Sequence, residues 1–415
     1  MRPIDFATVT RALSRDVFAR FKPGIWVITA LAFLNAVGFA ISLPFLSLYL
    51  YQERGLSMTA VGAIILVSGL SSGVVQVFGG SLSDRFGRRP LLLSSVAVAA
   101  LLYAGIAVLI ALSAPIWALV LVYTAGRSIL VVGRPVSSAM VVDLSPKERL
   151  AETYGLLRVG QNLGWAAGPA MGGHLLAYLS YAWLFGLAAL VGVLSFLLVF
   201  LFLRESCSGC TESTKVRSMF AVGKDRAFLG FTLLSLLIFI VQGQMISTLS
   251  VFSVDRVGFT TAEYGLLLTM NGLVVVLFQY PTARAINHFA KYRTLALGSL
   301  FYAFGYFFIG RTESFILALV AMVVITIGEI IYSPITLAVV GELSSESWRG
   351  RYMGFYSLSE TLGLSIGPLL GGVLLDGFPD SSLFIWGTIA LLALLAAFGF
   401  YGWGAARRTG QFGRL

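Results

Sequence analysis

The sequence predicts an all-α integral membrane protein: twelve spanning helices arranged as two similar six-helix halves. Three observations carry this. The chain has 415 residues, 58% hydrophobic and 12% charged, a balance that a water-exposed domain would not keep dispersed. Twelve apolar runs approach the ~20 residues a helix needs to cross hydrocarbon, near 24–50, 58–80, 90–112, 116–140, 152–178, 181–203, 228–252, 263–285, 294–310, 315–340, 352–376 and 383–404. The glycine pattern of the fifth run returns in the eleventh, 199 residues later. These runs are too long for barrel strands and do not alternate as such strands do.

Charge sets the expected orientation. With the N-terminus inside, 23 of the 29 basic residues fall in cytoplasmic segments and 3 outside, namely Arg54, Arg256 and Arg311. The positive-inside rule then puts both termini in the cytoplasm of a cell with the chain in its inner (plasma) membrane. The net charge of +10 therefore reads as topology and attraction to anionic membrane lipid, not nucleic-acid binding. Residues 1–22 are too polar for a signal h-region, so the first span is expected to be retained. They form either an amphipathic helix on the inner face, with Phe6, Val9, Leu13, Val17 and Phe21 at helical spacing, or a loose tail.

In the first span, Asn35 shares a helical face with Ser42, and that face either lines a polar cavity or bonds a neighbouring helix. Between the second and third spans runs GSLSDRFGRRP, residues 80–90. Gly87 permits the backbone angle that reverses the chain, Pro90 suits a first helical turn, and Asp84 can cap a neighbouring helix N-terminus. Arg85, Arg88 and Arg89 mark the turn as cytoplasmic. Gly80, Leu82, Ser83, Asp84, Arg85, Gly87, Arg88 and Arg89 resemble the signature loop of the major facilitator superfamily. The resemblance implies the twelve-helix fold of that superfamily and a secondary transporter working as a monomer. Asp143, ending the fourth span, resembles the acidic residue that pairs with this loop and is expected to meet Arg88 or Arg85; together they would latch the cytoplasmic side.

The fourth span carries Arg127 near its midpoint and Arg134 two turns on. A central arginine costs about 2.5–3.5 kcal/mol on insertion scales, so Arg127 is expected to meet water, substrate or a counter-charge. Arg134 either joins it or snorkels to the cytoplasm. The fifth span holds Gly155, Gly164, Gly168, Pro169, Gly172 and Gly173, a groove for close helix approach. The set is similar to the fifth-helix pattern of the superfamily's antiporter branch. Gly354, Gly363, Gly367, Pro368, Gly371 and Gly372 repeat it, and Asp143 and Pro135 recur as Glu342 and Pro334. Such a duplication predicts halves at residues 1–203 and 228–415, joined by a polar cytoplasmic linker at 204–227, with the substrate site between them. Cys207 and Cys210 in the linker, with no second pair nearby, do not make a metal site.

The seventh span offers Gln242 and Gln244 to the cavity. The tenth places Glu329 mid-membrane in GEIIYSP, which resembles the tenth helix of multidrug/proton antiporters, whose glutamate is implied to handle protons and substrate. A carboxyl withdrawn from water favours its neutral form, which suits it to proton exchange; a permanent ion pair with Arg127 is the competing expectation. Glu360 is a second candidate for coupling.

These residues predict proton-driven export of a small amphiphilic compound by alternating access, with sodium as the other coupling ion and no cofactor. Two arginines in the fourth span also suit an organic anion or a lipid-linked metabolite. A non-transporting scaffold or sensor is the remaining class, for which the chain offers little soluble sequence. No nucleophile–base pair, metal cluster or phosphate loop suggests an enzyme.

Overall fold

The computed structural model describes residues 21–146, 149–206, 220–286, 288–345 and 348–409. The expected N-terminal amphipathic helix, Lys147 and the Cys207 and Cys210 pair lie outside these residues, as do the surroundings of Gly80 and the side chains of Leu82, Ser83, Asp84 and Arg85. Twelve long helices account for most of the described chain. They are α1 (Pro23–Glu53), α2 (Met58–Phe86), α3 (Arg88–Ala111), α4 (Ile116–Leu144), α5 (Leu150–Leu175) and α6 (Tyr181–Phe202), then α7 (Arg226–Arg256), α8 (Thr261–Ile286), α9 (Lys291–Ile309), α10 (Phe315–Leu343), α11 (Arg349–Gly377) and α12 (Ser382–Arg408). Ten are long and apolar enough to cross a membrane by length and composition. The other two, α5 and α9, carry the polar load: Glu152, Arg158, Gln161 and Asn162 in one, Lys291 and Arg293 in the other.

Local chemistry explains the ends. Gly87 adopts φ +86°, which breaks the run between α2 and α3. Asp225 starts α7 by accepting the Ala227 and Phe228 N–H groups, each at 3.0 Å. Both halves open with a helix that finishes in a π turn, Tyr49–Glu53 in α1 and Phe252–Arg256 in α7. α7 is further interrupted between Gly243 and Thr248, where Gln244 fills the break.

The pairing of helices repeats with the sequence. In α1–α6, α1 packs on α5 and α6, α3 on α4 and α6, and α2 on α4. In α7–α12 the equivalent pairs recur: α7 with α11 and α12, α9 with α10 and α12, and α8 with α10. The two sets meet mainly along α2–α11 and α5–α8, which exchange places under the duplication.

Lipid supplies no hydrophobic drive between helices, so close approach at small residues has to hold them. Gly164, Gly168 and Gly172 lie on α1, where an added Cβ would strike Ala36, Ala40 and Phe45. Their counterparts Gly363, Gly367 and Gly371 lie on α7 against Phe239, Ile240 and Thr248. Gly173 turns to Thr261 of α8, and Gly372 to Met58 of α2. Gly155 stands apart: a Cβ there would meet nothing within 4 Å, because the linker-face end of α5 is open at that point.

Candidate functional site

A polar cluster forms where α5 meets α8 and α10. On α8, Asn271 and Gln279 lie eight residues apart and so share a face. On α10, Thr326, Glu329 and Ser333 make a matching stripe at three- and four-residue spacing. The Asn271 amide donates from Nδ2 to Glu329 Oε2 at 2.9 Å and to Thr326 Oγ1 at 3.0 Å. Gln279 Nε2 donates to the Ile330 carbonyl at 3.1 Å. Into this stripe comes one cation from the first half, Arg158 of α5. Its Nη2 donates to Ser333 Oγ at 2.7 Å and to Gln279 Oε1 at 3.3 Å. Among the described residues the guanidinium makes no ion pair with Glu329 or Glu360, so any attraction between them acts across a longer gap. Ser333 is one turn along α10 from Glu329, so the cation bonded to it and the half-buried carboxyl stand about one helical pitch apart.

The remaining candidates fall elsewhere. Arg127 is half-buried and donates to Tyr123 of its own helix at 3.2 Å. Among the described residues it forms no ion pair with Glu329; the cation that reaches the Glu329 stripe, through Ser333 and Gln279, is Arg158. Arg134 is exposed. Asn35, also exposed, borders a crevice with Gly38, Phe39 and Tyr103 inside the first half. Gln242 is half-buried and donates to the Tyr302 hydroxyl at 2.5 Å. Gln244 is not a cavity residue: it is fully buried, donates to the Gly367 carbonyl at 2.8 Å and accepts from Thr248 at 2.6 Å. Its amide is used up in joining the broken α7 to α11.

At the linker face Arg88 pairs with Asp143 and donates to the Ala139 carbonyl at 2.8 Å. Arg89 donates to the Phe200 carbonyl at 2.8 Å. Glu205, just after α6, accepts the backbone N–H groups of Arg88 and Arg89 at 3.3 and 3.0 Å, and Ser206 donates to Asp143 at 2.8 Å. The second half keeps an analogous pair, Lys291 at the start of α9 with Glu342 at the end of α10. The duplicated charge survives there although the loop has lost its glycines.

Sequence reasoning missed Arg158, Asn271, Gln279 and Ser333. Arg158 was visible as one of three arginines within spans, and Asn271 and Gln279 as paired amides on one face of an apolar helix. What the sequence could not supply was which helices meet across the two halves.

The family profile described as "Major Facilitator Superfamily" matches residues 28–265 and 232–412. The "Uncharacterized MFS-type transporter YttB" of Bacillus subtilis is 26% identical, over 88% of this chain and 90% of its own. A "Na(+), Li(+), K(+)/H(+) antiporter" of Planococcus maritimus is 27% identical, over 81% of this chain and 86% of its own. The "Quinolone resistance protein NorA" of Staphylococcus aureus is 21% identical, over 87% of this chain and 92% of its own.

Proposed function

The chain belongs to the major facilitator superfamily, a multi-pass membrane transporter of small molecules and not an enzyme, and from that premise we propose that it exports small amphiphilic compounds in exchange for protons. The observation that carries this reading is the Glu329 cluster: a half-buried carboxyl held by Asn271 at the level of α10's midpoint, with a cation from the other half bonded to Ser333 one turn along the same helix.

The cluster suits an exchange cycle. A carboxyl in a poorly hydrated site is stable either protonated or paired with a cation, and costly when charged and alone. Glu329 therefore carries a proton or a cationic substrate, but not both. Arg158, anchored at Ser333 and Gln279, senses which of the two is present, because its attraction to Glu329 vanishes on protonation. The halves, residues 1–203 and 228–415, rock about this point with the linker face cytoplasmic, and the Arg88–Asp143 pair together with the Asp84 loop steadies that face. Glu360 is a reserve acid, and Arg127, Arg134, Asn35 and Gln242 line the route. The names of the quinolone-resistance and cation/proton-antiporter relatives support export and ion exchange respectively.

Efflux of a fluorescent lipophilic cation from liposomes, driven by an imposed proton gradient, tests the reading. Transport that is abolished in Glu329→Gln and retained in Arg127→Ala supports it. If cations are ignored and Arg127→Ala alone changes transport of an organic anion, the fourth-helix arginines define an anion transporter and the reading fails.

A further inference from the structure

The two joints between the halves follow one plan along their length yet end differently on the face opposite the linker. At the start of α8 the cap is local. Thr260 donates its N–H and hydroxyl to Glu263 at 2.8 and 2.9 Å, and the Glu263 N–H returns to Thr260 Oγ1 at 3.1 Å. At the start of α2 the capping carboxylate comes from the other half. The Met58 and Thr59 N–H groups donate to the two oxygens of Asp376, at 3.0 and 2.7 Å. Ser57 Oγ takes the next donor, the Ala60 N–H, at 3.2 Å.

Asp376 sits in the last turn of α11, and Gly372 one turn earlier lets the Met58 carbonyl lie against that helix. A helix N-terminus leaves its first N–H groups without partners, and its dipole favours negative charge. Two charge-assisted bonds at such a site are stronger than neutral ones. Other contacts cross the same face: Ser47 to Ser247 at 3.0 Å, Tyr51 to Asp255 at 3.2 Å, and Thr261 to the Gly173 carbonyl at 3.1 Å. Each of these is a single hydrogen bond. Among the described residues Asp376 alone caps a helix of the opposite half.

We propose that Asp376 is the latch of the face opposite the linker. It holds α2 against α11 while that face is closed, and it must leave the α2 N-terminus when the face opens, exposing two unpartnered N–H groups. The latch is independent of which substrate is carried and of any role for Glu329.

The test uses full-length protein in lipid nanodiscs, with Cys207 and Cys210 replaced by serine and nitroxide labels at Glu53→Cys and Asp380→Cys, two exposed positions on either side of that face. Distance distributions are read without substrate. Asp376→Ala is expected to raise the ratio of long- to short-distance populations about fivefold, the scale of losing one helix cap. Thr59→Pro removes one donor at a position in the first turn that accepts proline, keeps the carboxylate, and is expected to shift the same ratio in the same direction. If Asp376→Ala proves too unstable to label, the proline variant decides alone. Distributions that match the parent, or move toward the short distance, overturn the proposal.

Discussion

Replacing Gly265 by alanine tests how the halves are held, because the effect is calculable and its sign is opposite to that of a control. Gly265 of α8 faces α5 at Pro169. An added Cβ would strike the Pro169 carbonyl oxygen and lie 3.1 Å from its carbonyl carbon and 3.3 Å from Gly173 Cα. Carbon atoms pack at about 3.5–4.0 Å, and backbone cannot rotate aside, so α5 and α8 have to move apart locally. Overpacking of this kind costs about 1–3 kcal/mol. Against it stands the gain of about 0.5–1 kcal/mol from replacing glycine within a helix, leaving a net loss of up to about 2.5 kcal/mol. At Gly155 only the gain operates, since a Cβ there has open space. Thermal unfolding in detergent, followed by tryptophan fluorescence, should therefore place Gly265→Ala below the parent and Gly155→Ala at or above it. Equal stability of the two variants would refute the idea that glycine contacts set the spacing of the halves.

Three further outcomes follow from named contacts. Arg158→Gln should lower gradient-driven exchange at least tenfold while Arg158→Lys restores part of it; combined with Glu329→Gln the two losses should fall short of additive by about 1 kcal/mol or more, as expected for residues that act on each other. Gln244→Leu strands the Gly367 carbonyl and the Thr248 hydroxyl, and should reduce stability by about 1–3 kcal/mol without altering KM in the protein that survives. Lys291→Gln should change stability by less than about 1 kcal/mol, because its pair with Glu342 is solvent-exposed, whereas Arg88→Gln should cost more, since the Ala139 carbonyl also loses its donor.

The sequence was most informative where a feature depends on one element or on its repeat. The twelve runs, the break at Gly87, and the two glycine sets were legible because length, a positive φ and close approach each leave a local signature. Gly155 matched the pattern yet packs against nothing, since a motif position does not report what neighbours it. Gln244 looked like a cavity residue because the break after Gly243 is invisible in an unbroken apolar run. That Arg158 rather than Arg127 reaches the Glu329 stripe, through Ser333 and Gln279, turns on which helices meet between the halves, and the α5–α8 joint that decides this has no marker within either helix. Asp376 was hidden for the same reason: its partner is backbone 317 residues away in the chain.

The central claim is that Glu329 holds either a proton or a substrate. Proton release on adding a cationic substrate to lightly buffered, purified protein measures this exchange directly, with no membrane or gradient involved. The account predicts release of up to about one proton per cation bound, set by the protonated fraction of Glu329 at the working pH, and none from Glu329→Gln at a concentration where that variant still binds. Binding to the parent without proton release at any pH, or release that persists in Glu329→Gln, would contradict it.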